Sequence, residues 1–348
     1  MASGAGGVKK PTMNDVARLA GVSQSTVSVV VNNRAAEIGI SDSTRSRVLV
    51  AIETLGFRPN LAARGLRLQR SRTFGFITDH IASTPFAGRT VQGAQDVAWR
   101  NGHLLMVVNT SADRAIEKSA IDALIDRGAD GLLYAAVAWR SVDLPPTFSA
   151  IPSVLVNCWS AGGDLVTEVV PREVDGGRLA AEELVSNGHQ SIAFLGGTPD
   201  DRATSERETG FRRAMAGARL TVQERWVLHG DYGMRSGYRL AAALFEGTGP
   251  HPTGLVCGND RMAAGAMGAL TSRSLSVPAD VSVVGYDDQA DLSDQLTPAL
   301  TTVSIPHYEM GSAGVEHLLA ALSGVPTPRT IPVAGRLIRR ASVARPRR

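Results

Sequence analysis

The chain has 348 residues, 43% of them apolar and 20% charged. That is enough for two or three domains with a sizeable core, and too ordinary a composition for a disordered or fibrous protein. The total charge of +3 hides a division: residues 1–72 carry eleven Lys or Arg against four acids, a net of +7, which leaves −4 for the other 276 residues.

A basic head on a mildly acidic body points to a polyanion partner for the head, against the plainer reading of a solubilising arm. No apolar run approaches the roughly 18–20 residues that a membrane span needs. Residues 1–10 lack the apolar stretch of a signal peptide, so they read as a disordered lead-in and the protein as cytoplasmic. Cys158 and Cys257 are far apart and outside any CxxC, the pattern of buried, reduced thiols.

From Thr12 to Gly56 the periodicity is helical and the loops are short. Thr12 is placed to cap a first helix, with Asp15 three residues on, and Val16, Leu19 and Ala20 share one face before Gly21 stops it. Ser23 caps a second helix. Its four valines within five positions favour a strand by propensity, but Val27, Val30 and Val31 keep helical spacing. Ser41 caps a third, with Val48, Ile52 and Leu55 on one face, ended by Gly56 and Pro59. Three short helices with a turn at Gly21 fit a helix-turn-helix layout. Residues 59–72 are basic and too short for a stable isolated helix, so they read as a linker that orders only when held.

From Thr73 strands and helices alternate. Buried strands are expected at Phe74–Ile77, His103–Val108, Gly131–Tyr134 and Val154–Val156, then at Ile192–Leu195, Trp226–Leu228, Leu255–Cys257 and Val281–Val284. Helical stretches separate them, near 91–100, 114–127, 175–186, 206–218, 235–246 and 261–272. This is an α/β pattern of parallel sheets covered on both faces, in two similar lobes of about four strands each, with a ligand cleft at the carboxyl ends of the strands. The Arg-rich tail, 339–348, reads as surface.

These residues carry a resemblance. TMNDVARLAGVSQSTVSVVVNN (12–33) resembles the N-terminal signature of lactose-repressor-type (LacI-family) transcription regulators, and GFRPNLAARGL (56–66) resembles that family's hinge. TPF (84–86), NGHQSIAFLGG (187–197), RETGF (207–211), CGNDRMA (257–263), VGYDD (284–288) and LTTV (300–303) are similar to its core landmarks, in the family's order. Each is weak alone; the ordered set is specific. The resemblance implies an N-terminal all-α helix-turn-helix head (11–58), a hinge (59–72) and a two-lobed, periplasmic-binding-protein-like core (73–343). Its lobe one would be about 73–171 with 304–332, and lobe two about 172–303 with 333–343. It implies a homodimer that binds double-stranded operator DNA, acts as a repressor, and answers to a small effector, usually a sugar, in the cleft. No cofactor, metal or membrane partner is implied.

Polar residues at the start of the second helix suit DNA. Gln pairs with adenine through two hydrogen bonds, and Ser suits base or phosphate. By family position Gln24, Ser25 and Val29 face bases. Ser23, Thr26, Ser28 and Asn32 face phosphate, helped by the helix N-terminus, and Thr12, Asn60 and Ala63 join the DNA set. Leu66 matches a leucine that wedges into the minor groove. The competing reading is caps and solvated surface, or for Leu66 a core side chain. Val29 stands where the family commonly has Arg, and it can meet a thymine methyl or nothing. The loop 34–40 is longer than usual; Arg34 is a candidate to restore charge, and Arg45 and Arg47 are either near phosphate or solvated.

A sugar-type ligand needs paired donors and acceptors plus an apolar face. Asn157, Arg207, Asn259 and Asp287 fall near strand ends or helix starts, on family cleft positions. Arg207 is the leading candidate, because its planar fork holds two hydroxyls or a carboxylate. Tyr232 sits where an aromatic is common, and Phe86 and Trp159 are placed to stack. The competing readings are a helix cap for Asp287, a turn for Asn259 and core for Trp159. Asn157 replaces the family's usual acid, and Pro171, Ile305 and His307 are also unusual. Enzyme motifs are missing: no GxGxxG after the first strand, no P-loop, HExxH, CxxC or GxSxG, and His103, His189 and His229 lack ligand spacing.

Overall fold

The computed structural model describes residues 11–32, 34–58, 71–84, 87–162 and 166–347. The expected lead-in and nearly all of the expected linker lie outside the described residues, and so do Asn60, Ala63, Leu66 and Phe86. The chain divides into two compact units, one ending at Ser71 and the other beginning at Arg72.

In the first unit α1 (Met13–Ala20), α2 (Gln24–Val31) and α3 (Asp42–Leu55) enclose one small core. Each starts on a hydroxyl cap. Thr12 Oγ1 accepts from the Asp15 amide while Asp15 Oδ2 accepts from the Thr12 amide, a reciprocal box. Ser23 and Ser41 accept from the amides of Thr26 and Thr44. Gly21 and Gly56 end α1 and α3 with φ of 64° and 60°, left-handed backbone that a Cβ would strain. The valine-rich stretch is helical. Val27 and Val30 are buried in the cluster with Val16, Val48, Ala51 and Phe57, and that burial outweighs a β-preference of a few tenths of a kcal/mol per valine. Leu19, expected inside, is 53% exposed. The buried stripe of α1 is Val16, Ala17 and Ala20, and at 100° per residue Leu19 falls about 110° from its centre.

The second unit holds two six-stranded sheets. The first contains β1 (Thr73–Thr78), β2 (Leu104–Asn109), β3 (Gly131–Val142), β4 (Ser153–Ser160), β5 (Thr167–Pro171) and β11 (Thr330–Val333), in the order β11-β5-β4-β3-β1-β2. The second contains β6 (Ile192–Gly196), β7 (Val227–His229), β8 (Gly254–Cys257), β9 (Ser282–Asp287), β10 (Thr301–Ser304) and β12 (Leu337–Ile338), in the order β12-β10-β9-β8-β6-β7. All neighbours are parallel except β10 and β12. Helices α4 (Gly88–Arg100), α5 (Arg114–Asp126) and α10 (His307–Leu322) go with the first sheet. Helices α6 (Glu173–Ser186), α7 (Arg202–Gly217), α8 (Met234–Leu244) and α9 (Asp260–Ser272) go with the second. The chain crosses from first lobe to second after Pro171, returns after Ser304 and crosses again after Val333.

Each sheet has two more strands than the alternation of apolar runs shows. β5, β10 and β11 are short and contain Thr or Pro, and β12 has only two residues, so their apolar signal is weak. The C-terminal tail is not simply surface. Ser342 is fully buried: its hydroxyl donates to Val283 O and accepts from the Thr301 amide, and its carbonyl accepts from the Val283 amide. Strands at that edge have backbone groups to satisfy, and the tail supplies the partners.

Candidate functional site

Two groups of polar residues stand out, one in each unit. In the first unit, Thr12, Ser23, Gln24 and Ser25 are exposed, and Thr26, Ser28, Val29 and Asn32 are half-buried. Ser23 Oγ lies 2.7 Å from Ser25 Oγ and 2.9 Å from Thr26 Oγ1, and Asn32 Nδ2 donates to Ser28 O at 2.6 Å. These side chains therefore satisfy helix ends first, and their hydroxyls keep capacity for another partner. The N-terminal end of α2 thus presents amide dipoles and small polar groups, the chemistry that receives an anion. Val29 lies outside the head's core cluster, half-exposed on the same helix. Arg34 is paired with Glu37 at 2.8 Å, an exposed contact that holds its charge only weakly.

In the second unit, the expected cleft residues sit at carboxyl ends of strands or on the helices that follow. Arg207 is the centre. Its Nε and Nη2 donate to the two oxygens of Glu173, each at 2.8 Å, and Nη1 donates to Gly258 O at 2.6 Å. Nη1 is also 3.9 Å from Asp287 Oδ1, and the guanidinium lies 3.8 Å over the Tyr286 ring. The placement is enforced by backbone. α6 and α7 touch so closely that a Cβ on Gly177 would come within 2.0 Å of Arg207 O. Three of its five N–H groups are thus engaged, leaving two for a ligand.

Tyr232 and Asn259 join this cluster. Tyr232 Oη is 2.7 Å from Thr204 Oγ1, and Asn259 Nδ2 donates to Tyr232 O at 3.1 Å. Asn259 Oδ1 accepts from the Met262 amide, so it caps α9. Asp287 ends β9. Burial pushes its carboxyl well above the usual range, and the nearby Arg207 only partly opposes that. Asn157 and Trp159 end β4 in the first lobe. Asn157 Nδ2 donates to Ala136 O and Val137 O, both at 3.0 Å. Trp159 meets Trp139 edge-on at 6.1 Å. Asn157, Tyr232 and Asp287 all have positive φ (56°, 62° and 110°), a costly backbone for non-glycine residues that concentrates at functional sites.

Sequence reasoning missed Glu173, Trp139, Arg202 and Asp79 as part of this arrangement, and marked His307 only as an unusual residue. Asp79 accepts from the Val137 amide and pairs with Arg140 at 3.1 Å, bracing the bulge in β3. The signal for Glu173 was an acid one residue past a strand-to-helix crossover. Trp139 ends the apolar run of β3 and reads as one more core residue of that strand; its role depends on Arg202, far along the chain. Among the described residues no group of three or more His, Cys, Asp or Glu is placed to hold a metal, and no helix is long and apolar enough to cross a membrane.

Residues 12–60 match the family described as "Bacterial regulatory proteins, lacI family", and residues 181–343 match "Periplasmic binding protein-like domain". The chain is 33% identical over 310 residues to the HTH-type transcriptional repressor PurR of Vibrio campbellii, covering 88% of this chain and 91% of that protein. Among solved structures it is similar to the Lac repressor dimer bound to operator and an anti-inducer, with TM-score 0.78 and 27% identity, over 97% of this chain and 100% of that one. It is also similar to the transcriptional regulator CelR in complex with cellobiose, with TM-score 0.65 and 27% identity, over 95% and 99%. The chain belongs to the lacI family of bacterial regulatory proteins and is a DNA-binding transcriptional repressor whose operator affinity is controlled by a small effector.

Proposed function

We propose that the chain represses by laying the N-terminal end of α2 in the major groove of a palindromic operator, as a cytoplasmic homodimer, while a sugar or sugar derivative in the cleft of the second unit sets operator affinity. The observation that carries this reading is the pairing of two polar sites of opposite kind. The start of α2 is exposed and dipole-positive; in the cluster Arg207 and Asn259 are buried and Tyr232 and Asp287 half-buried, and the group is rich in donors and acceptors and lined by aromatic rings. The resemblance to a cellobiose complex supports the sugar class. We read Gln24, Ser25 and Val29 as base-facing, with Thr12, Ser23, Thr26, Ser28 and Asn32 on phosphate and Asn60, Ala63 and Leu66 completing the DNA set. Phe86, Asn157 and Trp159 complete the effector set. Nothing in the cluster is arranged as a nucleophile with its base, so the cleft binds rather than turns over.

Dimerisation is supported by β2. This strand ends its sheet, yet Leu104 is 55% and Met106 41% exposed, and a bare apolar edge is stable in solution only when covered. The test is selection of operator sites from genomic fragments with the full chain at two salt concentrations. A palindromic motif is expected, with affinity falling by orders of magnitude between about 50 and 200 mM salt. Selection that returns no palindrome would sink the reading. Loss of the selected complex on adding one member of a sugar panel would identify the effector class.

A further inference from the structure

We propose that Arg202, laid across the indoles of Trp139 and Trp159, is a latch that holds the two lobes of the second unit shut and limits how fast an effector enters and leaves. Arg202 begins α7 in the second lobe, whereas Trp139 and Trp159 end β3 and β4 in the first. Its guanidinium carbon lies 4.2 Å from the Trp139 ring centre and 4.9 Å from that of Trp159. Arg202 Nε donates to Glu206 Oε1 at 3.0 Å within α7, and Asp201 caps the same helix by accepting from the Ala203 amide. The side chain is therefore aimed from a fixed base, with its flat face left for the rings. Trp139 is only 6% exposed, whereas the Arg202 side chain is 48% exposed, so the contact is dry on the Trp139 side and half-solvated on the cation side.

An opposing influence sits in the same place. The indole N–H of Trp139 is buried without a hydrogen-bond partner among the described residues. Opening the lobes rehydrates it, and an unmet donor favours opening by an amount similar to what the stacked cation gains. The closed form is thus poised rather than locked, and the latch decides the balance. The link to effector exchange rests on the cleft being the effector site; the latch itself does not.

The test uses the full chain without effector, spin-labelled at Lys118→Cys on α5 and Arg213→Cys on α7, two exposed positions on opposite lobes; the native thiols are buried. Pulsed electron resonance then reads the interlobe distance. Arg202→Ala is expected to raise the longer-distance population about tenfold, Arg202→Lys to raise it less, and Trp139→Phe to add little once Arg202 is gone. An unchanged distance distribution in Arg202→Ala, or equal and additive shifts from Arg202→Ala and Trp139→Phe, would overturn the latch. If Arg202→Ala does not fold, Arg202→Lys gives the same reading with a smaller shift, and an unchanged distance distribution in it would overturn the latch. Because no effector is present, either result leaves the sugar assignment to its own test.

Discussion

The two polar sites of this chain are built in opposite ways. At α2 the polar residues are exposed or half-buried, mostly short and bonded to their own helix, as in Ser23 with the Thr26 amide. In the second unit they are buried and bonded to each other over long sequence distances, as in Arg207 with Glu173. The first arrangement costs little to keep, and on the proposed reading it leaves recognition to groups that meet water until DNA arrives. The second keeps charge in a dry interior, where a partner removed is a charge abandoned. Function and stability are therefore separable in the head and entangled in the cleft.

The strongest way to break that contrast is at Arg207. Arg207→Leu leaves the Glu173 carboxylate buried and unpaired, and is expected to cost the second unit about 3–5 kcal/mol. Calorimetry would show its transition falling while the head's stays in place; a head-sized effect would refute the contrast. Next comes acid. Burial pushes His307 down to about 4 against about 6.5 in an unfolded chain, with Arg207 and Arg89 adding to the shift and Glu173 opposing it. A depressed folded pKa means its stability is present above pH 6.5 and lost as pH falls toward 4. Up to about 3 kcal/mol should disappear across that window, and His307→Gln should flatten that arm in denaturant titrations at pH 7 and pH 4.5. A parallel pH profile in the variant would show that His307 is not the group responsible.

In the head the expected effects are smaller and fall on DNA. Val29→Arg should shift the preferred base toward guanine at one operator position by about 1–3 kcal/mol, with folding unchanged. An identical selected motif would show that Val29 faces no base. Ser23→Ala should destabilise the head by about 1 kcal/mol through its lost cap. Its melting curve would settle that, and an effect several times larger would mean that the exposed polar groups are not energetically local.

Much of this contrast was legible beforehand because it is written in local spacing. The caps, the glycine stops and the 3–4 rhythm of Val27, Val30 and Val31 are read within a few residues, so α2 is recognisable as a helix despite its valines. Leu19 failed because a three-residue spacing marks either margin of a helical stripe, and only the neighbouring α3 decides which margin is buried. The placement of a residue near the end of an apolar strand was legible, as with Asn157, Asn259 and Asp287. It was illegible where one residue's role depends on another far along the chain. Glu173 gains its meaning from Arg207, and Trp139 from Arg202. The tail failed for the same reason: Ser342 is small and polar, and only the β9 and β10 backbone beside it makes it a buried strand partner.

The threefold crossing of the chain between lobes has a consequence for biosynthesis. The head's core is drawn from one continuous segment and can close once Phe57 has left the ribosome. The first lobe is not complete until α10 and β11 have been made, since Met310, Val315 and Leu318 close its core and β11 flanks β5. A nascent chain of 300 residues therefore holds a finished head and a first sheet with its β5 edge bare and its last helix missing. Loop closure over that span makes completion slow, and the exposed edge is open to other chains meanwhile. During synthesis the molecule is exposed to aggregation mainly through the lobe whose first strands are the earliest made.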